Sequence, residues 1–176
     1  YILLNEVKTP DRLNERQFAR WCMLYCRAAD KLFKDMLYTE QLDRALAWCK
    51  NHGTAEQRAW MGLYLGRSYV KDKLFIPAMK AYSDALSLAK EKYLYDVAGY
   101  ICSYMADLYT YTGQRSEERR KFEEAAEFFK QAGNERSYAF ALRDVAKTWA
   151  FDDSLSLALH YMLIADSVIT RFQDLR

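Results

Sequence analysis

The sequence predicts an all-α solenoid of about four antiparallel helix pairs. Three observations carry that prediction. Helix breakers are scarce, with two prolines and six glycines in 176 residues, whereas strands and their turns use both more heavily. Leu, Ala, Lys, Glu and Arg, all good helix formers, are plentiful. The chain also repeats itself every forty residues without a gap.

The repeat is written in side-chain volume. Stepping by forty from Gly66 gives Cys26, Gly66, Ala106 and Ala146, all small. Three positions later stand Ala29, Tyr69, Tyr109 and Trp149. Twelve positions after the first column come Tyr38, Ala78, Glu118 and Ala158, and sixteen after it Leu42, Tyr82, Phe122 and Met162, all apolar. Nineteen after it stand Ala45, Ala85, Ala125 and Ala165. Ridges of one helix enter the grooves of another only where some positions are small. The small column on a first helix is expected to accept the large residue of the sixteenth offset on a second. The alanine column is expected to let the next pair approach. A lone pair cannot bury both its faces, so pairs stack.

The elements follow in order. Residues 1–10, opening on YILLNEV, read as the tail of a preceding helix or a linker, and the chain is expected to be a fragment of a longer one. The apolar spacing predicts helices over 13–34, 38–51, 55–71, 75–92, 94–112, 115–132, 135–150 and 154–173. They group as repeats 13–53, 54–93, 94–133 and 134–173 in one solenoid spanning 1–176. Asn51-His52-Gly53 and Ala132-Gly133-Asn134 are helix-ending signals. Thr54 and Asp153-Ser154 are candidate N-caps, and Asp152-Asp153 is expected to cap the last helix. Pro77 falls in a first turn, where a missing N–H costs little. Short connections make neighbouring helices antiparallel.

Composition narrows the function. Hydrophobic residues are 51% and charged residues 28% of the chain, the balance of a folded protein. The net charge of +2, with signs interspersed, lacks the basic excess of a nucleic-acid binder. No apolar run reaches the ~20 residues of a membrane span; LALHYMLIADSVI is broken by His160 and Asp166. Cys22, Cys26, Cys49 and Cys102 lack zinc spacing and read as small buried apolar residues. Buried thiols fit the cytosol and are tolerated in the periplasm as well. His52 and His160 fall in different repeats and read as helix-end or surface groups. No phosphate loop, GxSxG or HExxH occurs. The run RSEERRKFEEAAEFFK reads as a solvated helix face laced with i, i+4 pairs. The expectation is a non-enzyme without cofactor or metal.

The columns resemble the tetratricopeptide repeat (TPR) family. Leu65, Gly66, Tyr69, Ala78, Tyr82 and Ala85 match its motif, and Met105-Ala106-Tyr109-Phe122-Ala125 and Val145-Ala146-Trp149-Ala158-Met162-Ala165 match it at most positions. Tyr38 and Glu118 replace the family's alanine, and its repeat-end proline is missing. The period exceeds the family's 34 by six, and the extra residues are expected to lengthen both helices. The resemblance covers about residues 13–173 and implies a right-handed superhelix whose first helices line a concave groove. It thereby implies a partner-binding groove of Arg27, Lys31, Trp60, Arg67, Lys71, Tyr100, Asp107, Tyr111, Arg143 and Lys147. The i, i+4 pairs Arg27–Lys31 and Arg67–Lys71 each share a helix face. Such a groove fits a protein or peptide partner through an acidic or C-terminal segment, with Arg67 open enough that its reversal leaves stability nearly intact. The competing reading pairs these bases with Asp30, Asp72 and Asp107 as ordinary solvated positions.

Two functions suit the resemblance: an interaction scaffold, or a ligand- or peptide-sensing module of a larger signalling or transcription regulator. LAWCKNHGTAEQRAWMGLYLGRSY and MKAYSDALSLAKE are also similar to TPR proteins common in Bacteroidetes, many of them envelope lipoproteins. That implies the cell envelope, and the cytoplasm otherwise. The last predicted helix carries two apolar stripes, one of Leu157, Tyr161, Ile164 and Val168, the other of Leu155, Leu159, Met162, Ile169 and Phe172. A double stripe is expected to be covered by a further domain or a second copy.

Overall fold

The computed structural model describes residues 1–174, with side chains described through Arg171. All regular structure among the described residues is helical. The chain divides into two compact units, 1–92 and 93–176. Unit 1 holds a short α1 (Ile2–Asn5), a 3-10 turn (Pro10–Arg12), α2 (Glu15–Lys31), α3 (Thr39–His52), α4 (Ala55–Lys71) and α5 (Phe75–Glu91). Unit 2 holds α6 (Tyr95–Tyr111), α7 (Arg115–Gln131), α8 (Glu135–Phe151) and α9 (Leu155–Asp174).

Within the forty-residue period lies a half-period. Helices α4 to α8 begin at residues 55, 75, 95, 115 and 135, and each runs 17 residues. Both helices of the α4–α5 and α6–α7 pairs therefore have the same length. The joints repeat as well. Phe33, Lys73, Gly113 and Asp153, forty residues apart, all adopt left-handed backbone, with φ of 53°, 59°, 71° and 56°. The amide after each reaches back to the carbonyl of the column that holds Ala29, Tyr69, Tyr109 and Trp149: Lys34 to Ala29 at 2.9 Å, Leu74 to Tyr69 at 2.8 Å, and Gln114 to Tyr109 and Ser154 to Trp149 at 3.0 Å. This is the Schellman closure, which satisfies carbonyls a helix end leaves open.

Two expected signals act differently. Gly133 takes the left-handed C-cap, at φ 68°. Gly53 does not; its backbone is extended, at φ −89° and ψ 159°. A Cβ there would sit 2.9 Å from the Cys49 carbonyl oxygen, so close approach requires the glycine. The Thr54 hydroxyl then accepts from the Gln57 amide at 3.1 Å, and the Gln57 side chain accepts from the Thr54 amide at 2.9 Å, a reciprocal cap. Asp152 does not cap α9; it closes α8 and bonds Arg115 and Arg119 of α7.

The volume columns pack largely as written. In unit 1 a methyl at Gly66 would overlap the ring of Tyr82, which is buried. In unit 2 Phe122 sits in one buried cluster with Ala106 and Val145, and Trp149 and Tyr161 pack against it. The alanine column needs a correction. A Cβ at Gly62 would lie 2.9 Å from the Ala85 methyl, so Ala85 serves contact inside its own pair. Met162 also departs from its column: it is 46% exposed, whereas Leu42 and Tyr82 are buried. Along α9 one stripe turns inward over most of its length, with Val168 buried and Tyr161 and Ile164 half-buried, while Leu157 at its start is exposed. In the other, Leu155, Leu159, Met162 and Ile169 are exposed; the Phe172 side chain lies outside the described residues.

Candidate functional site

In unit 1 the candidate residues lie on α2 and α4, two first helices that touch. Arg27 and Lys31 sit one turn apart near the end of α2, and both are exposed. Neither forms an ion pair among the described residues. Arg67 of α4 is different. Its guanidinium pairs with Asp30, and both side chains are only about a fifth exposed, at 21% and 20%. Arg67 is therefore a half-buried brace between helices, which overturns the expectation that its reversal would leave stability intact. Asp72 accepts from the Thr39 hydroxyl at 3.0 Å.

Tyr64 lies buried below this face. Burial first, then the nearby Asp30 charge, pushes its phenol far above the ordinary range, so it stays protonated. Trp60 stacks on Tyr64 with ring centroids 5.8 Å apart. Lys71 lies 5.3 Å over the Tyr38 ring, which is itself exposed. Arg27, Asp30, Tyr64 and Arg67 thus share one neighbourhood. Trp60 stands one turn before Tyr64 along α4, and Lys71 one turn beyond Arg67.

In unit 2 the candidates lie on α6 and α8. The Tyr100 hydroxyl bonds the Ser137 hydroxyl at 3.0 Å, and its ring meets Phe129 edge-on at 4.9 Å. Asp107 and Tyr111 are exposed farther along α6. Arg143 bonds its neighbour Asp144 at 2.9 Å and lies 5.1 Å over Phe140. Lys147 lies 5.8 Å over Phe151. Cation–π contact leaves the charge facing water and holds it in place.

Sequence reasoning missed several anchors. Ser68 is buried and donates to the Leu37 carbonyl at 2.9 Å, with the Thr39 hydroxyl 3.0 Å away. Arg119 lies flat on Trp149 at 3.5 Å and donates to the Thr148 hydroxyl at 3.0 Å. Lys121 is buried and donates to Glu124 at 2.6 Å. These two bases correct the reading of RSEERRKFEEAAEFFK as a wholly solvated face, and its pairs close at i, i+3. A lysine immediately before the apolar column residue Phe122 was the available signal. The four cysteines are buried, and no disulfide joins them. Burial lifts the Cys26 thiol to about 12 and raises Cys22 and Cys49 as well, which keeps them neutral. No three His, Cys, Asp or Glu side chains among the described residues form a metal-holding group.

Solved structures share this arrangement. BtubC (BKLC) from P. vanneervenii is similar with a TM-score of 0.72 at 13% identity, over 97% of this chain and 72% of that one. The apo form of RapI is similar with a TM-score of 0.73 at 14% identity, over 96% of this chain and 62% of that one. The fold is TPR-like. This chain spans under two thirds of RapI, and identities this low establish a fold and nothing more. No protein-family model matches the chain, and no curated protein sequence matches it. No helix among the described residues is long and apolar enough to cross a membrane.

Proposed function

We propose that this TPR-like chain is a protein-interaction scaffold. Its first helices receive an acidic or C-terminal segment of a partner. The observation that carries the reading is the α2–α4 face: Arg27 and Lys31 stand exposed and without ion-pair partners beside an Arg67 that Asp30 already holds. A braced guanidinium next to two open cations gives a carboxylate preorganised charge and free donors. Trp60 on α4 and Tyr38, the residue before α3, supply rigid aromatic area. Within unit 2, Tyr100, Asp107, Tyr111, Arg143 and Lys147 on α6 and α8 offer a partner a face of mixed polarity of their own. The exposed leucines of α9 favour a further domain or a second copy there.

The test is affinity capture from cell lysate with wild type and an Arg27→Glu/Lys31→Glu double variant, read by mass spectrometry. The expected result is at least one partner held by wild type and lost by the variant. Identical partner sets with both proteins would refute this face as the site.

A further inference from the structure

A second concavity lies in unit 1 away from those residues. It is a trough of about 420 Å³ with α3 and α5 as walls and α4 as floor. That volume lies in the range of small-molecule pockets. Gly62 and Leu65 on the α4 floor and Ala81 and Ala85 on the α5 wall give the trough apolar surface. The floor runs from Arg58 to Tyr69 along α4, eleven residues or about 16 Å.

Charge divides the trough by its ends. Arg58 on α4 and Lys50 on α3 stand at one end. The Arg58 Nε is buried and has no hydrogen-bond acceptor among the described residues. Glu91 does not satisfy it: that carboxylate bonds Lys92 at 2.8 Å and is held below its usual range chiefly by that bond, with Arg58 a lesser influence through space. At the other end Asp43 accepts from the Tyr69 hydroxyl at 3.4 Å. Asp84 and Lys80 lie one turn apart on the α5 wall. Two bases standing together, with no carboxylate of the lining bonded to either, make the Arg58–Lys50 end the one that draws an anion. A buried guanidinium donor without an acceptor is costly, and a carboxylate matches its fork.

We propose that this trough binds a small apolar monocarboxylate, with its carboxylate on Arg58 beside Lys50 and its hydrocarbon over Gly62, Leu65 and Ala81. The site is separate from the α2–α4 face and stands whether or not that face binds a peptide. It is tested by titrating the full chain with sodium octanoate, octylamine and a free-carboxylate hexapeptide, read by amide and methyl NMR shifts. Octanoate is expected to saturate with shifts centred on Leu65 and Ala81, while octylamine produces none. Arg58→Gln is expected to weaken octanoate about tenfold or more with the melting temperature held or raised, because an orphaned donor leaves. Should Arg58→Gln fail to fold, Ala81→Leu reads the same site by filling the trough and abolishing the shifts. Octylamine binding as well as octanoate, octanoate affinity unchanged in the variants, no saturation, or saturation by the hexapeptide alone would each overturn the proposal.

Discussion

At Gly66 one hydrogen decides whether α4 and α5 can meet, because a methyl there would occupy the ring of the buried Tyr82. Gly66→Ala is expected to lose about 1–3 kcal/mol by overpacking, measured by urea unfolding. An unchanged midpoint would mean that the ring moves aside freely. Arg67→Glu is expected to cost about 1–3 kcal/mol, since it breaks a half-buried pair and sets a second carboxylate beside Asp30; thermal melting checks it. Asp152 gives a pH prediction. The bond from Arg119, and then that from Arg115, holds its carboxyl below the usual aspartate range. A depressed folded pKa contributes stability above the unfolded value and loses it as pH falls through the folded value. Urea midpoints followed from neutral pH into acid are therefore expected to fall less steeply for Asp152→Asn than for wild type. These pairs were hidden in the sequence. Asp30 and Arg67 are 37 residues apart, and only the stacking of α2 on α4 brings them together.

Helices and joints were legible to different degrees. The spacing of apolar residues marks all eight long helices, and α4 begins and ends where periodicity puts it. The start of α3 was visible to within one residue, 38 expected and Thr39 found, with the buried Met36 and Leu37 just ahead of it. The joints were nearly invisible, because only Gly113 among the four left-handed positions of that column is glycine. Phe33, Lys73 and Asp153 hold a conformation that costs an L-residue roughly 1 kcal/mol. Lys73→Gly is accordingly expected to raise stability by a few tenths to about 1 kcal/mol. Gly113→Ala is expected to lower it by about 1 kcal/mol through backbone strain alone, since a Cβ there meets nothing within 4 Å. Chemical unfolding of both variants checks the pair. Opposite signs are required, and a Lys73→Gly loss would mean that its side chain makes a contact worth more than the strain.

For the molecule as a whole, the repeat identified the architecture because volume recurs where helices must touch. Arg27 and Lys31 were legible as candidates because i, i+4 spacing on one helix places them on one face, whereas the trough under α3 and α5 was not. Its walls and floor come from three helices, and its orphaned Arg58 donor becomes apparent only when burial is known. The scaffold reading rests on charge left open at Arg27 and Lys31, so a direct measurement is available. Fluorescence anisotropy of the full chain would compare labelled acidic peptides ending in a free carboxylate with the same peptides ending in an amide. The account predicts tighter binding of the free carboxylates to wild type, weakening with salt, and no such preference in Arg27→Glu/Lys31→Glu. Equal binding of the two peptide sets, or a preference that persists in the double variant, would contradict it.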